Sequence, residues 1–376
     1  MKDLVIERAQ VYAVGPPTER YTWATAHTAQ YVTNTVLRIT TKGGLDGVGG
    51  AMSVTEFGFS AAVAETMRRM LPLLIGASPL DRDRLWYRLQ PLDLPLAPQA
   101  QSIIDIALWD LLAKHASLPL YQLLGGPRSK IMSYASTPLF PSPAAYVDFV
   151  AEMQELGFKA IKFHCYCVYE RDMEMVRAVH ARYGSSGLRF MLDVEQRYSR
   201  EEALMAGREL EELGYTWFEA PLPDFDIAGY RELKRRVGVP ILANGNWILD
   251  ARLLEHFIDA DCWTHLRVDT TVAGGVTPMR KIMGIAEAHS MNVEIQSWGY
   301  TLTQAANLHV MLAHRNCSFF EHPVPYPAFE YGSLDVIRVD KDGNVHAPDG
   351  PGLGIRADWP ALERAAFLRY EETGRG

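Results

Sequence analysis

One apolar run, Ala160-Ile161-Lys162-Phe163-His164, holds two side chains suited to proton transfer. On a strand, a spacing of two puts Lys162 and His164 on the same face. A buried lysine beside a histidine makes a general-base pair, because desolvation and neighbouring positive charge lower both pKa values toward neutrality. A lysine paired to a carboxylate is the plainer alternative. Further along, successive short apolar runs end in oxygen-bearing residues: Asp193-Val194-Glu195, Glu219, Asn244-Gly245-Asn246, Asp269 and Glu321. Any one of these carboxylates serves equally well as a helix cap. Three strand ends in succession bearing Asp193 with Glu195, Glu219, and Asn246 make an oxygen-rich pocket that suits Mg²⁺, with Mn²⁺ as a substitute. Asn244 is the alternative donor on the third of these ends. A metal site facing a base is equipment for proton-transfer chemistry assisted by a cation.

The elements that must position these residues are readable from periodicity. Apolar runs at Ile131–Ala135, Ala160–Phe163, Phe190–Leu192, Trp217–Glu219, Ile241–Ala243, Cys262–Val268, Val293–Gln296 and Ser318–Glu321 give eight strand candidates. Helical patterns lie between most of them, at 143–156, 170–183, 199–213 and 274–289. The predicted fold is α/β, a (β/α)₈-type TIM barrel, whose active site lies at the C-terminal ends of its strands. Residues 1–50 alternate as an antiparallel three-stranded meander, and helices follow at 54–74 and 101–115. Residues 1–125 therefore read as an N-terminal α+β capping domain, 126–322 as the barrel, and 323–376 as a tail returning to complete the cap. A turn is expected at Lys341-Asp342-Gly343-Asn344.

Bulk properties narrow the partners. The chain of 376 residues is 48% apolar and 22% charged, ordinary for a soluble enzyme of one barrel plus a second domain. A net charge of −8 offers no attraction to nucleic acid or anionic lipid. No apolar run reaches the roughly 18 residues of a membrane span, and the alternating start is not a signal peptide. The expectations are a cytoplasmic location, a small anionic ligand and a homo-oligomer. Cys165, Cys167, Cys262 and Cys317 lack zinc-site spacing and read as buried thiols.

The chain resembles the mandelate racemase/muconate lactonizing enzyme branch of the enolase superfamily over nearly its whole length. Ile104-Asp105-Ile106-Ala107-Leu108-Trp109-Asp110-Leu111-Leu112, with Leu118-Pro119 and Leu123-Leu124-Gly125-Gly126, resembles that family's last cap helix and its exit into the barrel. Asp269 followed by Gly274-Gly275-Val276-Thr277 is similar to its sixth-strand signature, and Pro351-Gly352-Leu353-Gly354 to its C-terminal one. The resemblance implies that Asp193 and Glu219 are metal ligands. It implies that Lys162 assists at the substrate carboxylate and that His164 stands where the proton-abstracting base stands. Glu321 would hydrogen-bond the substrate carboxylate. Tyr21, Trp23 and His27 would lie in a cap loop that closes over the barrel mouth and reads the far end of the substrate, with Trp298 as a pocket wall. Gly43–Gly50 and Phe57-Gly58-Phe59 are candidates for a second closing loop.

Four departures bear on the reaction. The third metal ligand, normally a glutamate after glycine, is Asn246, and the usual asparagine two residues after the first ligand is Glu195, as though the types were exchanged. The histidine at the end of the seventh strand is missing from Gln296-Ser297-Trp298. Asp269, which would orient it, has no obvious partner. The cap loop's Gly-Glu reads Gly49-Gly50. Racemisation needs an acid/base on each face of the enolate, whereas elimination of water runs with one. Dehydration of an acid sugar to a 2-keto-3-deoxy acid is therefore expected. Racemisation, epimerisation or cycloisomerisation of a carboxylic acid is the alternative, and a barrel that binds an acid without turning it over is the non-catalytic one.

Overall fold

The computed structural model describes residues 2–17, 22–23, 33–53, 57–93 and 98–374. The cap candidates Tyr21 and His27 lie outside the described residues. Alternating sequence at the start forms an antiparallel ladder of β1 (Ile6–Val14), β2 (Thr33–Thr41) and β3 (Asp46–Ser53). One face of this sheet and the helices Phe57–Leu74 and Pro98–His115 share an apolar core built on residues such as Val11, Leu37, Met67 and Ile103.

Six parallel strands follow: β4 (Lys130–Ser136), β5 (Ala160–His164), β6 (Arg189–Asp193), β7 (Trp217–Glu219), β8 (Ile241–Leu242) and β9 (Phe319–Pro323). They curl round so that β9 pairs in parallel with β4. Between β8 and β9 the sixth and seventh positions are held by single parallel bridges, Leu242 to His265 and Leu266 to Val293, rather than by full ladders. Hydrogen bonds from Glu294 N to Leu266 O (2.8 Å) and Gln296 N to Val268 O (3.1 Å) continue the curl. Local chemistry starts and stops the intervening helices. Helix Pro143–Leu156 is capped by the Ser142 side chain, has proline in its first turn, and ends at left-handed Gly157. Helix Arg200–Glu212 carries a Ser199/Glu202 capping box.

The tail returns along both parts of the molecule. After a turn closed by Gly343 N to Asp340 O, β10 (Asn344–His346) pairs antiparallel with the start of β4. β11 (Ala366–Thr373) then pairs antiparallel with β1 and forms the edge of the cap sheet.

The three distant sequence signatures meet at one junction. Asp105 on the cap helix accepts from Thr277 N (2.9 Å) and Thr277 Oγ1 (2.6 Å). Trp109 Nε1 donates to the same Thr277 hydroxyl at 2.9 Å. Asp110 accepts from Val48 N of β3 and from Leu353 N of the tail. A side chain at Gly275 (φ 100°) would strike the Asp105 carboxylate, so only glycine lets helix and loop approach. The glycine-rich Gly43–Gly50 stretch is the β2–β3 turn and strand, not a closing loop. A Cβ at Gly49 would fall 2.2 Å from Ile103 O, so the stretch is glycine-rich because β3 lies directly on the cap helix. Among the described residues no helix is long and apolar enough to cross a membrane.

Candidate active site

Side-chain alternation along the barrel strands builds two interior layers. The lower one is an apolar plug of Tyr134, Ala160, Met191, Trp217, Leu242 and Phe319. Two residues further along the same strands stand Ser136, Lys162, Asp193, Glu219 and Glu321, at the ends pointing to the cap. Parallel register aligns His164 with Asp193 and Asp193 with Glu219. Above this layer lies a cavity of about 480 Å³ lined by Lys162, His164, Asp193, Glu195, Glu219 and Glu321, with Trp23 and Trp298 among its walls. A more open groove of about 890 Å³ lies where the cap meets the tail and contains none of these residues.

Lys162 lies within 3.0 Å of Asp193 Oδ2, 2.9 Å of Glu219 Oε1 and 3.0 Å of Glu321 Oε1. Burial and the Arg267 charge push its pKa down, but Glu219, Glu321 and Asp193 outweigh them and hold it well above the ordinary lysine value. The expected lowering does not occur, because the alternative of a lysine paired to barrel carboxylates holds three times over. Three carboxylates converging on its Nζ favour the charged form of Lys162.

His164 behaves differently. Burial and the Lys162 charge lower its pKa to about 4, so the ring is neutral at pH 7. Its Nδ1 lies 2.6 Å from Thr137 O, which fixes the proton on Nδ1 and leaves Nε2 as the lone-pair nitrogen. Nε2 is 3.4 Å from Asp193 Oδ2 and 3.8 Å from Glu195 Oε1. The Trp298 ring is tilted over the imidazole with centroids 6.1 Å apart, and Trp23 packs edge-on against Trp298 at 5.1 Å.

The sequence reading missed Arg267, which is fully buried at the barrel centre. Its Nε is 2.9 Å from Glu219 Oε1 and its terminal nitrogen 2.7 Å from Glu321 Oε2. Burial alone would raise Glu321, but Arg267 and Lys162 hold it near 2. Ser136 Oγ and Ser297 N also donate to Glu321. Glu219 is equally engaged, since its second oxygen accepts from Trp217 Nε1 at 3.1 Å. Glu195 has no cation on it, and burial together with Asp193 pushes it up to about 8. His164, Asp193 and Glu195 offer ligand atoms within 4.8 Å of one another, the compact donor group of this cavity. Asn246 lines the cavity but is exposed, whereas Asn244 is buried and its Oδ1 has no partner. Asp269 does have partners: its Oδ1 accepts from Thr271 N, Thr271 Oγ1 and Asn307 Nδ2, at 2.7, 2.8 and 2.9 Å. It shapes the loop after the sixth strand position and is held there by Asn307 of helix Thr301–Ala313. Cys165, Cys262 and Cys317 are buried free thiols and Cys167 is half-buried.

The enolase C-terminal domain-like family model matches residues 145–361, and the mandelate racemase/muconate lactonizing enzyme N-terminal domain model matches residues 8–125. The chain belongs to this family. A solved structure of the same type from Pseudovibrio sp. is 44% identical and superposes with a TM-score of 0.96, covering 99% of this chain and 100% of that one. L-talarate/galactarate dehydratase from Salmonella typhimurium is 29% identical over 334 residues, 85% of this chain and 79% of the relative. Its structure liganded with Mg and L-lyxarohydroxamate superposes with a TM-score of 0.87 at 25% identity, covering 99% of this chain and 95% of that one. D-galactarolactone cycloisomerase from Agrobacterium fabrum is 28% identical over 308 residues, 77% of this chain and 81% of the relative.

Proposed function

We propose that the protein dehydrates an acid sugar to a 2-keto-3-deoxy acid, with His164 as the base that takes the proton from C2. The observation that carries this reading is the asymmetry of the site. One neutral imidazole presents a free Nε2 to the cavity, while the opposing strand-seven position offers Ser297, whose hydroxyl donates to Glu321 O, and Trp298. Asp269 Oδ1 is taken by Asn307 and Thr271, and among the described residues no histidine stands on it to carry a proton to the substrate. Elimination needs only the one face, because the imidazolium formed on taking the proton can return it to the departing β-hydroxyl. The similarity to dehydratases, one of them crystallised with Mg, supports the same assignment.

The site fits a divalent cation. Asp193, Glu195, Glu219 and Glu321 outnumber the buried cations Lys162 and Arg267 by two, and Asn244 Oδ1 is a buried acceptor without a donor. Such oxygen donors suit Mg²⁺. Asp193 with Glu195, Glu219 and an asparagine oxygen from Asn244 or Asn246 would hold it. A bound ion supplies positive charge to the substrate carboxylate as negative charge accumulates there. Lys162 and Arg267 hold Glu219 and Glu321 in place, and a bound cation would offset the remaining negative charge so that an anion can enter. Trp23 and Trp298 close one wall of the cavity against water. Such an activity suits a cytoplasmic enzyme acting on a small carboxylate. Incubation with a panel of acid sugars in Mg²⁺ should yield a 2-keto-3-deoxy acid from at least one of them. If every acid sugar is recovered intact, the reading fails.

A further inference from the structure

We propose that the substrate is a dicarboxylic acid sugar whose far carboxylate is held by Arg197. This rests on the acid-sugar reading above and names the class within it. The observation is a turn directly after β6. Glu195 and Gln196 both have left-handed backbone, φ 51° and 63°, although neither is glycine. Such conformations are uncommon singly, and two in succession persist only where the surroundings over-determine them. Here Gln196 N donates to Ala220 O at 2.8 Å, Arg197 N to Val194 O at 3.1 Å, and Asp224 N to Gln196 Oε1 at 2.9 Å. In an extended chain, alternate side chains would point away from the cavity. In this turn Glu195, Gln196 and Arg197 all line it.

Charge then singles out Arg197. Lys162 and Arg267, the other cavity-lining cations, are 1% exposed and each is shared among carboxylates. Arg197 is exposed and its guanidinium has no ion-pair or hydrogen-bond partner among the described residues. Three residues on, Arg200 is gripped by Asp226, whereas Arg197 has no such partner and lines the cavity. In the lining of the same cavity Gln99 Oε1 and Gln296 Oε1 are buried acceptors without donors, available to the hydroxyls of a sugar chain. A guanidinium fork matches a carboxylate in two parallel hydrogen bonds, which a terminal CH₂OH cannot reproduce. The cavity thus reads a chain that is anionic at both ends.

The test uses matched pairs that differ only at C6: galactarate and galactonate, glucarate and gluconate, mannarate and mannonate. Binding is read by quenching of cavity tryptophan fluorescence and turnover by kcat/KM, both in Mg²⁺. For the best stereochemical pair the diacid is expected to bind about 10- to 100-fold tighter than the monoacid. Arg197→Gln should collapse that ratio toward one, chiefly through KM, and Arg197→Lys should restore part of it. A wild-type protein with no diacid preference in any pair overturns the proposal, as does a preference that survives in Arg197→Gln. Because the binding ratio needs no chemistry, it decides this point even if no acid is dehydrated, which would sink the reaction and not the recognition.

Discussion

Arg267 Nε lies 2.9 Å from Glu219 Oε1, the same oxygen that Lys162 contacts at 2.9 Å, so one carboxylate oxygen bridges two buried cations. With Trp217 on the other oxygen, Glu219 is a structural keystone as much as a candidate metal ligand. Removing one partner of a buried charge network leaves the others uncompensated, which costs about 3–5 kcal/mol. Arg267→Met is expected to lower unfolding stability by that order, and Glu219→Gln by somewhat less. Urea titration followed by circular dichroism measures both. Stability within about 0.5 kcal/mol of wild type would mean that the network carries no fold energy.

Metal affinity should depend on the uncompensated carboxylate. Glu195→Gln is expected to weaken Mn²⁺ binding, followed by its electron paramagnetic resonance signal, by about tenfold or more. Glu195 and Asn246 line one cavity, so Glu195→Asn with Asn246→Glu should recover affinity that each single change loses. Strictly additive losses in the double variant would show that the two positions do not share an ion.

Acid sensitivity has a separable source in the buried histidines. His309 accepts from Tyr121 N on Nδ1 and lies 3.1 Å from Leu353 O through Nε2, tying barrel to cap exit and tail in its neutral form. Burial lowers its pKa from 6.5 to about 4. The unfolded chain therefore binds a proton that the folded one refuses, and the His309 contribution is lost as pH falls from 6.5 to 4. Asp105, pushed up from 3.8 to about 7 by burial, acts in the opposite direction across this whole window. The difference between wild type and His309→Gln isolates the sign. That difference should shrink by up to about 3 kcal/mol from pH 6.5 to 4. A constant difference across the window would mean that His309 titrates normally in the folded state.

The strands were legible because each is a short apolar run ending in a polar residue, and Asp193, Glu219 and Glu321 fall where such runs end. Arg267 was not, because it stands two residues below Asp269 inside the run Cys262–Val268, where attention to strand ends passes over it. Its period-two relation to Asp269 was the available signal. The protonation of Lys162 was misread because its chain neighbour His164 is visible in sequence, whereas its three carboxylates converge from other strands. Arg197 gave no sign at all: the left-handed turn that aims it uses Glu195 and Gln196, types with no preference for that conformation. The sixth and seventh strands are reduced to bridges, and just past the seventh Ser297 N donates to the Glu321 carboxylate, a tertiary contact that no local pattern encodes.

In the proposed reaction His164 alone serves the reacting carbon. The most direct measurement is turnover of the cognate acid in D₂O followed by NMR, in wild type and in His164→Asn. Wild type should give a 2-keto-3-deoxy product carrying solvent deuterium at C3, with recovered substrate unexchanged in configuration at C2. His164→Asn should bind the acid and form no product. Recovered substrate inverted at C2 and deuterated there, or turnover that survives His164→Asn, would contradict the assignment and place a second acid/base on the opposite face.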